Sequence, residues 1–313
     1  MILFVAQRLL STIPVLATVA LFVFLMLRLT PGDPAAVIGG DTATAAQVAE
    51  IRGKLGLDKP IAEQFFIWAG RGLTGDFGES FFFKKKVAEL IVQRIEPTLA
   101  LSATTMLLAI IIALPLGVLA AYRHGGWLDR CLMGFSVLGF SVPVFVIGYL
   151  FIYIFAVKVN WLPVQGYRRI GDGLADWAVH LILPSLTLSV IYVALIARMT
   201  RASVIDVLGE DYIRTARAKG LSRPVILIRH ALRNAAIPIV TVIGLGVALL
   251  IGGVVVTESV YNIPGLGRLT VDAVLARDYP VIQAIILLFS FAYVLINLVI
   301  DVAYSFFDPR IRY

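Results

Sequence analysis

Six runs without a single Asp, Glu, Lys or Arg dominate this 313-residue chain: residues 9–27, 97–122, 131–157, 177–197, 234–257 and 279–300. The hydrocarbon core of a bilayer is about 30 Å thick, which about 20 helical residues cross at about 1.5 Å each, so every run is long enough to span. Each is expected to be a helix, because a segment surrounded by lipid must satisfy its own backbone hydrogen bonds. Composition agrees: 15% of residues are charged and the mean hydropathy is +0.91. A soluble domain carries about 25% charged residues, and a disordered chain combines low hydrophobicity with high charge. Both classes are excluded. The first run follows Arg8 as a secretory signal would. It is longer than a signal's apolar region, however, and leads into Arg28 and Pro31-Gly32-Asp33-Pro34 rather than a small-residue cleavage site, so a retained span is expected.

Six spans put both termini on one side, and the excess of basic residues in short loops chooses the cytoplasmic side. With the termini inside, the cytoplasmic regions hold 13 basic and six acidic residues and the outer regions 14 of each, so the whole formal charge of +7 lies inside. The charge is therefore an orientation signal, and no nucleic-acid partner is expected. The expected organisation is a first span over residues 1–29, an extracytoplasmic segment over 30–96, a five-helix core over 97–303 and a cytoplasmic tail over 304–313. Within the outer segment, residues 45–55 read as a short helix, Leu57-Asp58-Lys59-Pro60 as a break, and 61–68 as an amphipathic helix carrying Phe65, Phe66 and Trp68. Lys84-Lys85-Lys86 reads as a solvated or headgroup-facing patch.

Ion-coupled carriers keep ionisable groups inside the bilayer to partner the moving charge. Here His180, Glu258 and Asp301 lie only at span ends, where interfacial anchoring accounts for them. No Gly-x-x-x-x-Gly-Lys-Ser/Thr stretch or His-Glu-x-x-His is present, and the three histidines and one cysteine form no metal-ligand spacing. No catalytic residue, metal or cofactor is expected, and Cys131, which opens an apolar run, is expected to be buried. Energy for transport would have to come from another chain. A self-sufficient channel or ion-coupled carrier is the competing class, and a membrane-embedded enzyme a third. Pro14, Pro115, Pro143, Pro184, Gly148, Gly244 and Gly246 lie within the runs and suit close packing and kinks in a bundle.

The stretch between residues 198 and 238 is too polar to span and too long for a tight turn. Val207, Leu208, Tyr212, Ile213 and Ala216 have helical spacing, which predicts a helix over 206–219 ended by Gly220. Ser222 and Pro224 then suit the start of a second helix over 225–236 that leads into the fifth span. Eight of the 13 inner basic residues lie here.

The run Asp211-Tyr212-Ile213-Arg214-Thr215-Ala216-Arg217-Ala218-Lys219-Gly220-Leu221, with Arg229-His230-Ala231-Leu232-Arg233-Asn234-Ala235-Ala236-Ile237-Pro238 after it, resembles the coupling loop of bacterial ABC importer permeases of the peptide, glutathione and nickel family. The general pattern of such loops is Glu-Ala-Ala, three residues, then Gly; only Ala216 and Gly220 match it directly. The resemblance extends along nearly the whole chain through Pro31-Gly32-Asp33-Pro34, Gly75-Asp76-Phe77-Gly78-Glu79-Ser80, Ser141-Val142-Pro143-Val144-Phe145, Leu162-Pro163, Gly166-Tyr167, residues 256–261, Pro264-Gly265-Leu266-Gly267, Arg277-Asp278-Tyr279-Pro280 and Asp308-Pro309-Arg310-Ile311-Arg312.

The resemblance implies an all-α, six-span type I importer permease of the bacterial inner membrane. Its partners would be a homologous second permease, two cytoplasmic ATPase subunits, an extracytoplasmic solute-binding protein and membrane lipid. Arg214, Thr215, Ala216, Arg217, Ala218, Lys219, Gly220 and Leu221 would couple to the ATPase. Glu258, Tyr261 and Asp278 would gate the outer face or contact the binding protein. Short peptides are the first cargo implied, with glutathione, nickel chelates and opine-like compounds open.

Overall fold

A computed structural model describes residues 2–29, 33–40 and 43–307, so part of Pro31-Gly32-Asp33-Pro34 and all of Asp308-Pro309-Arg310-Ile311-Arg312 lie outside the described residues. The described chain is almost wholly helical. Its main helices are α1 (Ile2–Leu29), α2 (Pro34–Gly39), α3 (Ala45–Leu55), α4 (Ile61–Leu73), α5 (Val87–Tyr122), α6 (Trp127–Ser141), α7 (Val144–Phe151), α8 (Leu174–Leu208), α9 (Asp211–Ala218), α10 (Arg223–Val225), α11 (Ala236–Val260), α12 (Leu266–Leu275) and α13 (Tyr279–Phe307). Among the described residues, α5, α8, α11 and α13 are each long and apolar enough to cross a membrane. The apolar stretch of α1, Leu10–Met26, is shorter.

The third apolar run departs from the single helix expected of it. It forms α6 and a second segment, Val144–Lys158, bent from α6 by 105°. Pro143 is the cause: it has no N–H for the helical ladder, and its ring pushes the preceding residue out of the helical region. Val142 accordingly sits at φ −91°, ψ 123°. The second segment then widens into a π-helical stretch over Ile152–Lys158. Cys131 is also a correction, for it is exposed rather than buried. In a helix whose surroundings are lipid, an apolar run does not mark burial in protein, because either environment accepts a small apolar side chain.

The chain forms two compact units, Met1–Glu96 with Gly265–Leu295, and Pro97–Pro264 with Ile296–Tyr313. In the first, the start of α5 (Val87, Leu90, Ile91) packs with α12 (Leu266, Leu269, Ala273) and the start of α13 (Val281, Ile285). Gln283 is buried and donates to the carbonyl of Val23 at 3.0 Å, so an amide inside an apolar helix is satisfied by the backbone of α1. The segment between α1 and α5 follows its local signals. Thr44 and Gln47 form a reciprocal capping box at the start of α3, which ends at Gly56 in the left-handed conformation. Helix α4 outruns its expected end at residue 68 by five residues. Phe65 and Trp68 turn their rings to Phe24 of α1 at 5.3 and 5.6 Å.

The second unit is built on α5, α8 and α11, whose Leu101, Ala109, Ala113, Leu188, Tyr192, Ile196, Val242, Leu250 and Val254 form one core. Helices α5 and α8 cross very closely at Gly117, where a Cβ would lie 2.6 Å from the Cβ of Thr200 and 2.7 Å from the carbonyl oxygen of Ala197. A rigid backbone atom cannot yield to such a contact. Gly117→Ala is therefore expected to cost about 1–3 kcal/mol, the usual range for overpacking. The check is thermal unfolding of the detergent-solubilised protein, and an unchanged midpoint would contradict the close crossing.

Candidate functional site

Helix α8 continues 11 residues past the charge-free run that ends at Ala197 and stops at Leu208. The expected helix over 206–219 is thus divided: Val207 and Leu208 finish α8, and the chain turns at Gly209 and Glu210 before α9 begins at Asp211. Gly209 still has right-handed dihedrals, φ −79° and ψ −16°, and the chain leaves the helix at Glu210, which is extended at φ −70°, ψ 147°. Helix α9 buries Ile213 and Ala216 against Ile226, with Val207 and Leu208 around them. Its other face leaves Arg214, Thr215, Arg217 and Ala218 exposed. Arg214 makes an exposed pair with Asp211 at 3.2 Å, which contributes little in water. Partial burial and the nearby Glu210 carboxylate push the Tyr212 phenol up, so it stays neutral.

Two backbone bonds close α9. The N–H of Gly220 donates to the carbonyl of Arg217 at 3.0 Å and that of Leu221 to Ala216 at 3.3 Å, a Schellman motif with Gly220 at φ +77°. No atom lies within 4 Å of where a Gly220 Cβ would stand, so conformation rather than space selects glycine. Ser222 takes the N-cap position of α10 without a side-chain cap bond, and Pro224 sits in its first turn. The expected helix over 225–236 is instead a π-helical stretch, Ile226–Leu232, followed by a break before α11. Two ties fasten the segment to the bundle. One is Arg223, which donates to the Tyr122 hydroxyl at the end of α5 at 2.6 Å. A cleft of about 420 Å³ lies behind α9, lined by Tyr122, Leu208, Arg217, Leu221, Arg223, Ile226 and Leu227.

The second tie has no signal in the local sequence. Arg201, four residues past Ala197 on α8, forks onto the buried carboxylate of Asp129 at the start of α6: Nε meets Oδ1, and Nη2 donates to Oδ2 at 2.8 Å. The N–H of Gly125 donates to the same carboxylate at 2.9 Å, and His124 Nδ1 lies 3.2 Å from it. A fork of this kind constrains both distance and orientation. It ties the extension of α8 that bears α9 to the turn between α5 and α6.

The three residues expected at the outer face, as gate or binding-protein contact, all have buried side chains. Glu258 lies within α11, fully buried, and accepts from the Thr98 hydroxyl at 2.6 Å. Tyr261 is buried as well; its hydroxyl donates to the carbonyl of Gly148 at 3.2 Å and shares a hydrogen bond with Thr187 at 2.7 Å. Both belong to the second unit. Asp278 belongs to the first and is 1% exposed. His180, expected at the outer end of its span, is in α8 with Nδ1 2.7 Å from the carbonyl oxygen of Asp176. No cluster of three or more His, Cys, Asp or Glu side chains among the described residues is arranged to hold a metal ion.

Several long apolar helices joined by short polar ones define a polytopic membrane protein, the class to which transport permeases belong. Residues 113–313 match the family described as binding-protein-dependent transport system inner membrane component, and residues 1–102 match the N-terminal family of the same components. A probable peptide ABC transporter permease of Sinorhizobium fredii is 57% identical over 99% of both chains. Glutathione transport system permeases of Escherichia coli and Salmonella choleraesuis are each 48% identical over 99% of both chains. A chain of the MetNI methionine ABC transporter, solved in inward-facing conformations, shares the fold with a TM-score of 0.57 at 20% identity, covering 70% of this chain and 96% of its own. The chain belongs to the family of binding-protein-dependent transport system inner membrane components, and it is a permease subunit of an ABC importer.

Proposed function

We propose that this chain forms half of the translocation pathway of an ATP-driven importer of short peptides, with six spans and both termini in the cytoplasm. The observation that carries the mechanism is α9: a short helix anchored on one face by Ile213 and Ala216, closed by Gly220, and exposed on the other. In this reading the exposed face enters a cleft of a cytoplasmic ATPase subunit, and the two ties to Asp129 and Tyr122 pass its displacement to α5, α6 and α8. The partners are a homologous second permease, two ATPase subunits that bind and hydrolyse ATP, and an extracytoplasmic binding protein that delivers the solute. Glu258, Tyr261 and Asp278 hold the outer loops in place from within, since their side chains are buried.

Peptides come first as cargo because the 57% identical relative is named for peptide transport; glutathione, itself a short peptide, follows from the relatives at 48%. Affinity purification of the tagged chain from its host membrane tests the assembly. Recovery with two copies of an ATPase and a second permease is expected. Solute flux in vesicles holding this chain alone would overturn the reading in favour of a self-sufficient channel or carrier.

A further inference from the structure

The cleft behind α9 is lined by two arginines, Arg217 and Arg223, by the Tyr122 phenol and by four aliphatic side chains, Leu208, Leu221, Ile226 and Leu227. No acidic residue is part of that lining. Asp206, Glu210 and Asp211 are near in sequence, but Asp211 faces Arg214 at 3.2 Å. Among the described residues, no carboxylate lies within ion-pairing distance of Arg217 or Arg223. Arg223 gives one N–H to the Tyr122 hydroxyl at 2.6 Å, out of the five donors that a guanidinium carries. Its planar fork suits phosphate oxygens, and a volume of about 420 Å³ admits a phosphate with the glycerol units on either side of it.

The apolar surface that meets this cleft tells a free anion from a lipid. On α5, Leu107, Ile111, Pro115 and Leu119 recur every fourth residue, and Tyr122 follows three residues later. All five are exposed, and at that spacing they share one face of the helix. The stripe therefore runs along α5 and ends at the phenol that lines the cleft. From Leu107 to Tyr122 it rises about 22 Å, more than the about 15 Å of one bilayer leaflet. A free phosphate has no use for such a track, whereas acyl chains need one. Tyr122 is also where the charge-free run of α5 ends, which puts the two arginines at the level of the headgroups. On the cytoplasmic side the membrane surface is negative, and basic pockets between helices there take phosphate headgroups.

We propose that this cleft holds the phosphate of an anionic phospholipid of the cytoplasmic leaflet, with its acyl chains along the exposed face of α5. The lipid bridges α9 to the end of α5 and steadies the segment that meets the ATPase. This rests on the cytoplasmic placement of α9 in the proposed function. The test titrates phosphatidylglycerol onto the purified, delipidated complex and counts bound lipid by native mass spectrometry. Arg217→Gln with Arg223→Gln is expected to raise the Kd of the tightest site at least about tenfold, as loss of charge-assisted contacts to phosphate would. A wild-type measurement stands beside it in case the variant complex does not assemble: phosphatidylglycerol with a photoreactive acyl chain should label residues 107–122 of α5. Equal affinity in the variant and the wild type would overturn the proposal, as would labelling of the wild type that spares α5. Displacement of the lipid by inorganic phosphate, with no preference for the lipid over the free ion, would assign the cleft to a soluble anion and overturn it too. Binding is read without uptake, so a cargo other than peptide leaves this result intact, and loss of the lipid site leaves the transport reading intact.

Discussion

Ala216→Asp abolishes solute uptake while the protein still inserts and reaches normal abundance: that is the expected result, and it follows from where Ala216 lies. Its side chain is 6% exposed and shares a small cluster with Ile213 and Ile226. An ionised carboxylate buried there without a partner costs several kcal/mol. An eight-residue helix has almost no stability of its own and depends on its packed face. Helix α9 should therefore leave its seat, while α8 and α11 on either side keep their spans. Gly220→Val acts on the same helix by a different route. Space is available, but the φ of +77° costs a β-branched residue about 1–2 kcal/mol, so a partial loss is expected. Gly220→Asp should fall in the same direction, with a negative charge added beside the docking face. Uptake and ATP hydrolysis measured together in proteoliposomes check the assignment. Hydrolysis without uptake is the expected pattern for Ala216→Asp, and normal uptake would refute it.

The second large effect is expected at Asp129. Removing this carboxylate leaves the Arg201 guanidinium, whose side chain is 18% exposed, without its main partner. Breaking a buried pair from one side typically costs about 3–5 kcal/mol, because the remaining charge is stranded. Asp129→Ala should therefore lower the thermal midpoint of the solubilised complex substantially and weaken coupling between hydrolysis and uptake. Removing both partners, in Asp129→Ala with Arg201→Met, should recover much of the stability, since no charge is then stranded, but not the coupling, since the tie between α8 and the α5–α6 turn is gone. A double-mutant cycle separates the two. Equal midpoints for Asp129→Ala and the double variant would show that the pair is not the cause.

These two sites differ in how far the sequence reveals them. Helix α9 was legible, because a buried face at helical spacing and a glycine one residue past the cap are local signals, and both lie within eleven residues. Its exact start was not: Val207 and Leu208 continue the same spacing, and only the turn at Gly209 and Glu210 assigns them to α8. Pro143 was visible as a kink, but the 105° angle depends on what α6 and α7 pack against. The Asp129–Arg201 fork joins residues 72 apart, Glu258 and Thr98 are 160 apart, and Ser80 and Asp278 are 198 apart. No periodicity links such pairs. Glu258, Tyr261 and Asp278 stand out in the sequence as polar residues at span ends, but their burial and their bonds to Thr98, Gly148 and Ser80 are visible only in the structure.

By itself, then, the sequence determined the solvent in which the chain folds, the runs that can cross a membrane, the side on which its positive charge is expected, and the position of the surface helix. Each depends on composition or on spacing within a few turns, where the physics of lipid and of helix geometry leaves few alternatives. Tertiary structure alone decided which polar groups meet inside the protein: the carboxylates of Asp129, Glu258 and Asp278 each found a donor far along the chain. In a medium where an unpaired charge is costly, those meetings are set by how the helices pack, and helix packing is not written in any single segment.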